Sequence, residues 1–113
     1  MPFINLTQHL VRILDKDGNT FEIQPSGSVA TVGVVMRPEP DLYIEFLRFS
    51  VSSRDYGQVH GLPKRIPGTV FIVSAMVQDR VQDREDVFAP DTGPSAIRKD
   101  GQVWAVRGLV GYN

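Results

Sequence analysis

The residues best suited to catalysis or ligand binding lie in one segment near the C-terminus, Phe88–Gly101, which reads FAPDTGPSAIRKDG. It contains Asp91-Thr92-Gly93, the signature tripeptide of aspartic proteases. In those enzymes the Asp carboxylates of two such tripeptides share a proton and activate water. In such enzymes the tripeptide ends an apolar strand early in the chain. Here Ala89-Pro90 precedes it and little of the chain follows, so we favour a structural turn.

The residue types of this segment suit a turn that could also hold an anion. The side chain of Asp91 can accept the backbone N–H of Gly93, Gly93 tolerates a positive φ, and Pro94 stops a strand. In a variant of this turn, Thr92 or Gly93 caps one helical turn that begins at Pro94. The three backbone N–H groups from Ser95 onward would then be free to bind an anion.

Two arginines could supply positive charge beside this turn. Asp100-Gly101 is typical of a two-residue hairpin turn, and pairing about it places Arg98 opposite Val103 and Arg107 opposite Pro94. The two guanidinium groups then emerge on one face, about 13 Å apart at roughly 3.3 Å per residue. Arginine presents a planar fork of donors that matches phosphate, so this trough suits a ligand with two anionic groups.

We therefore predict a ligand-binding site of backbone and hydroxyl donors, two arginines and a histidine: Thr92, Gly93, Ser95, Arg98, Arg107 and His60. His60 is included because the Gly-rich stretch QVHGLP leaves it accessible to a ligand. The other histidine, His9, has no acid at ligand spacing, and the chain has no cysteine. We expect no catalytic residue, no metal site and no cofactor.

Bulk properties describe an ordinary globular chain. Its 113 residues predict a single domain, and its net charge of −1 gives no strong signal for nucleic acid. No apolar run is long enough for a membrane helix, and the N-terminal stretch does not resemble a signal peptide. With no cysteine in the sequence, we expect a cytoplasmic protein that does not interact with membranes.

Short apolar stretches separated by glycine and proline predict a mainly β fold of six to eight strands. The pattern indicates an antiparallel rolled sheet or small barrel with one short helix, capped by Ser74. Hairpins are expected around Asp17-Gly18 and Asp100-Gly101. TVFIV predicts a strand covered on both faces, whereas RPEPD and Asp55-Tyr56-Gly57 predict breaks. The large aromatic side chains are predicted to lie in the core: Trp104, Phe46 and Phe49.

Four stretches together resemble a family of small proteins encoded by bacteriophages, prophages and bacteria: INLTQH, YGQVHGLP, GTVFIVSAMV and REDVFAPDTGPSAIRKDG. That family typically has Asn-Leu-Thr-Pro-His near its start, where this chain has Gln8 in place of the proline. The resemblance implies a stand-alone domain in a phage-infected or bacterial cytoplasm, and it brings no activity with it.

We interpret the chain as a non-enzymatic, phage-type binding module for an anionic, nucleotide-like molecule used in host defence. One alternative is a protein-interaction module that inhibits a host factor, and another is a small hydrolase or dimeric protease that uses Asp91. An arginine-lined pocket would favour the first function, and a flat apolar patch the second. Because β-rich domains have edge strands to cover, we also expect a homo-oligomer.

Overall fold

The computed structural model describes residues 2–112, which form ten strands and one short helix. Sequence analysis predicted fewer strands, six to eight. The elements, in chain order, are β1 Phe3–Asn5, β2 Val11–Leu14, β3 Thr20–Ile23, β4 Thr31–Ile44, β5 Leu47–His60, β6 Val70–Ile72, α1 Ala75–Asp79, β7 Val87–Pro90, β8 Ile97–Lys99, β9 Gln102–Ala105 and β10 Leu109–Gly111.

A four-stranded sheet in the order β1-β6-β7-β10 forms the centre of the body. β6 pairs in parallel with β1 and β7, and β10 pairs antiparallel with β7. Because side chains alternate along a strand, Phe71 and Val73 enter one core cluster with Leu6 and Val77, while Ile72 enters the other. Phe71, Ile72 and Val73 are fully buried, which confirms the prediction of a strand covered on both faces.

The mainly β class with one short helix is confirmed, whereas the strands of residues 2–112 do not close into a barrel. Three antiparallel hairpins, β2-β3, β4-β5 and β8-β9, surround the central sheet. The first and last hairpins are joined where Val106 donates its backbone N–H to Arg12 and accepts that of Leu14, each at 2.8 Å. Val11 and Val106 are buried at this junction.

Several local predictions are correct because the turn residues determine them. Gly18 and Gly101 have positive φ in the two hairpin turns, and Asp100 joins Gly101 in the left-handed region. Helix α1 begins after Ser74, whose hydroxyl accepts the N–H of Val77 at 3.3 Å.

The prediction was wrong for the middle of the chain, where β4 and β5 form one long hairpin that we call the arm. β4 continues through Pro38 and Pro40 to Ile44, and β5 continues through Asp55–Gly57 to His60. A two-stranded ribbon has an open edge on each strand, so a proline can sit where no ladder partner needs its missing N–H. The turn lies at Glu45-Phe46.

The C-terminal hairpin follows the predicted register only next to its turn. Lys99 pairs with Gln102 and Arg98 with Val103, but a bulge then places Ile97 opposite Ala105 rather than Trp104. β8 begins at Ile97 and β9 ends at Ala105, so the predicted pairing of Pro94 with Arg107 does not form. The predicted trough between two arginines on one hairpin face depended on that pairing. Because the bulge shifts the register, the trough does not form.

Candidate functional site

The Asp91-Thr92-Gly93 segment is a hydrogen-bonded corner between β7 and β8. One carboxylate oxygen of Asp91 accepts the N–H of Gly93 at 3.1 Å, and the other lies 3.5 Å from the hydroxyl of Ser95. The N–H of Asp91 itself bonds the Gly108 carbonyl at 3.0 Å, which ties the corner to the chain before β10. The predicted Asx-turn is therefore confirmed.

Two details of the predicted corner are wrong. Gly93 does not have a positive φ, and its role is space: a Cβ there would lie 3.1 Å from the Asp91 carboxylate. Fewer backbone N–H groups are free than predicted, because Ala96 donates its N–H to the Gly93 carbonyl at 3.0 Å. The segment makes a single turn and does not present three N–H groups to an anion.

The structure brings four of the six predicted site residues to this corner. Arg98 donates to the Thr92 carbonyl at 2.9 Å, next to Gly93 and Ser95. Arg107 lies exposed in the loop between β9 and β10, one residue before the carbonyl that Asp91 contacts. His60 is exposed at the base of the arm, paired with Thr31 on a different element.

A cleft of about 610 Å³ lies beside the corner, and we call it the Trp104 cleft. It lies between β2, β9, the start of α1 and the loop that precedes β2. Of the predicted site residues only Thr92 lines it; its other polar or aromatic lining residues include Thr7, His9, Arg12, Gln102 and Trp104. The walls between them are apolar, with Val11, Val103 and Ala105 among the contributors.

Arg12 fixes the geometry of the cleft's aromatic wall. Its Nε and Nη2 contact one carboxylate oxygen of Glu22, at 2.9 and 2.7 Å, and its Nη1 donates to the Trp104 carbonyl at 3.0 Å. The guanidinium carbon lies 4.5 Å from the centre of the Trp104 ring. The Nζ of Lys99 lies 3.7 Å from the same ring, so two cations share one indole.

Sequence analysis missed Arg12 and Trp104 as lining residues of this cleft, and it missed Lys99, which contacts the indole of Trp104 without lining the cleft. Trp104 was predicted to lie in the core, but it is only partly buried. The available signal was the alternation of β9, because Trp104 and Gln102 fall on the same side of a two-residue period. The contact between Arg12 and Trp104 joins residues 92 positions apart, and no local pattern predicts it.

A buried polar corner supports the rim of the cleft. The Asn5 side chain donates to the Ile23 carbonyl at 3.0 Å and to the His9 carbonyl at 2.8 Å. Its oxygen accepts the N–H of Thr7 at 2.9 Å and the Thr7 hydroxyl at 2.6 Å. Thr7 and His9, both lining residues, are thereby held by one fully buried side chain.

Shifted titrations occur outside the Trp104 cleft and have local causes. A bidentate hydrogen bond from Arg84, at 2.8 Å to each oxygen, lowers the pKa of Asp86 and raises that of Arg84. A hydrogen bond to Asp79 at 2.5 Å raises the pKa of Tyr112. Among residues 2–112 no cluster of three or more metal-ligating side chains occurs.

Compared with known protein families, curated proteins and solved structures, the chain shows no significant match. Over the described part of the chain, no helix combines the length and apolar character needed to cross a membrane.

Proposed function

We propose that this protein is a non-enzymatic binding module whose Trp104 cleft takes a small, planar, anionic molecule of nucleotide type. The observation that carries the proposal is an indole on the wall of a 610 Å³ cleft with two cations against it. Clefts of roughly 300–1,000 Å³ with apolar walls and a few placed polar groups are the usual form of small-ligand sites.

The cations are placed to act on a ligand. Arginine carries five N–H donors, and three of those of Arg12 are directed at Glu22 and the Trp104 carbonyl, which leaves two for a ligand. Lys99 is exposed, and its flexible stem allows the ammonium group to leave the indole face and follow an anion. Arg12 lines the cleft, and Lys99 lies against the same indole without lining the cleft, so two cations and the carboxylate of Glu22 surround Trp104.

The polar residues around the indole suit a base and a sugar. The Gln102 amide offers both a donor and an acceptor on the side of β9 that carries Trp104. Thr92 adds a hydroxyl from the corner. A planar base could stack on apolar and aromatic wall atoms while its phosphates face Lys99 and Arg12.

The same geometry argues against the protease alternative for Asp91. Both of its carboxylate oxygens face groups of its own corner, and the turn that they stabilise explains the whole tripeptide.

If the chain is phage-encoded, as its resemblance implies, such a module would withdraw a nucleotide signal from host defence. The protein-interaction alternative is supported by a different surface, the arm.

Isothermal titration calorimetry with ADP, adenosine and inorganic pyrophosphate tests the proposal. We expect ADP to bind more tightly than either fragment, because it uses the indole and the cations together. Lys99→Ala should weaken ADP binding about tenfold, the value of one charge-assisted hydrogen bond. Lys16→Ala, which removes an exposed lysine from the β2-β3 turn, is the matched control.

Two outcomes would contradict the assignment. If none of the three probes binds the native protein, the cleft is not a site for this ligand class. If Arg98→Ala and Arg107→Ala abolish binding while Lys99→Ala does not, the ligand lies at the corner instead of in the cleft.

A further inference from the structure

The arm extends from the body with little of its length covered. Each strand has 14 residues, which at about 3.3 Å per residue gives roughly 46 Å. The chain is 59 Å long, and its radius of gyration of 17.9 Å exceeds the roughly 13 Å of a compact domain of this size. Contacts to the body lie near the base, where Val32 and Val59 pack on the core and Arg80 covers Tyr56.

One face of the arm is apolar at its free end, and we call it the tip face: Leu42, Ile44, Leu47 and Phe49. Leu42 pairs with Phe49 and Ile44 with Leu47, so the four side chains lie on the same face. Their exposed fractions run from 43% to 61%, and Phe46 in the turn beside them is fully exposed. A lone two-stranded hairpin is marginal in water, so a face of this kind needs a cover.

The charges next to the tip face indicate what covers it. Arg37 forms an ion pair with Asp55, and Ser53 donates to Glu39 at 2.8 Å, so both signs lie side by side on this face. Residues 31–60 carry four acids and three bases, a net charge of 4 − 3 = 1 negative unit. A surface that carries both positive and negative charges can pack against a copy of itself. A surface whose charges all have one sign would repel a copy and attract an oppositely charged partner.

We propose that the tip face packs against the tip face of a second copy of this chain across a two-fold axis. The whole face of the arm that carries the tip face is about 10 Å wide and 46 Å long, so contact along its full length would bury at most roughly 460 Å² per copy. That is less than the ~800 Å² per partner of a standard stable interface. The dimer is therefore a weak one that forms with increasing concentration, and it is independent of the ligand proposal.

Sedimentation velocity between about 10 µM and 1 mM tests this dimer. The native protein should change from 12.6 kDa toward twice that mass as concentration rises. The double variant Leu47→Ser/Phe49→Ser should stay monomeric. Tyr43→Ser is the matched control, because Tyr43 is 66% exposed on the opposite face of the same arm.

Single-cysteine variants keep the proposal falsifiable if the double variant disturbs the arm. The chain has no cysteine, so Leu47→Cys and Tyr43→Cys each introduce one thiol. Under mild oxidation the first should form a disulfide dimer at least tenfold faster than the second. Equal rates, or a native protein that remains monomeric at 1 mM, would overturn the proposal and leave the tip face to a foreign protein.

Discussion

Replacing Asn5 with alanine should destabilise the protein by about 3 kcal/mol. Asn5 is 1% exposed and makes four hydrogen bonds, to Thr7 (two), His9 and Ile23. In the alanine variant water can reach the exposed loop at His9 but not the buried Ile23 carbonyl. An orphaned buried group costs about 1–3 kcal/mol, and the lost bond to the Thr7 N–H about 1 kcal/mol more.

The assay is thermal and urea unfolding of Asn5→Ala beside Gln8→Ala. With about 2.1 cal/mol/K of unfolding entropy per residue over 113 residues, 3 kcal/mol lowers Tm by about 13 °C. Gln8 is exposed in the same loop, so its truncation should change stability by less than about 0.5 kcal/mol. Equal effects of the two variants would refute the claim that the Asn5 network holds this corner together.

Three further outcomes are expected. Arg84 lowers the pKa of Asp86, so the pair stabilises the fold above the ordinary aspartate pKa of about 4. That contribution is lost as pH falls below this value. The difference in unfolding free energy between the native protein and Asp86→Asn should therefore narrow on acidification. Gly61→Ala should cost about 2 kcal/mol or more in urea unfolding, since φ is +84° and a Cβ would lie 2.6 Å from a carbonyl oxygen, whereas Gly27→Ala, with φ of +96° and open space, should cost less. Asp91→Asn should retain the fold and ADP binding, because an amide oxygen can still accept the turn N–H; loss of binding by a folded variant would contradict the structural role of Asp91.

Local chemistry made the turns and caps predictable from sequence. The turn at Asp100-Gly101 and the helix cap at Ser74 each involve only about four consecutive residues. Asp100 and Gly101 have the expected positive φ, and the Ser74 hydroxyl accepts the expected N–H, that of Val77. The buried strand at β6 was equally readable, because its apolar run has no polar face to turn outward.

Features that depend on partners distant in sequence were not predictable. Pro38 and Pro40 are strong breakers in isolation, but the open edges of the arm accept them. The bulge at Ile97 shifted the register and moved the expected arginine trough, while the approach of Arg12 to Trp104 created a cleft that no spacing rule describes. Phe46 and Phe49 were predicted as core because their residue type is usually buried, yet they lie exposed on the arm.

The fluorescence of Trp104 provides the most direct test of the central claim, because it is the chain's single tryptophan and lines the cleft itself. Titration with ADP should change its emission in a saturable manner. Lys99→Ala, which keeps the indole and removes one cation, should move the midpoint to about tenfold higher ADP. Emission that stays unchanged up to about 1 mM ADP, which would half-fill a site with a Kd of about 1 mM, would contradict ligand binding at the Trp104 cleft.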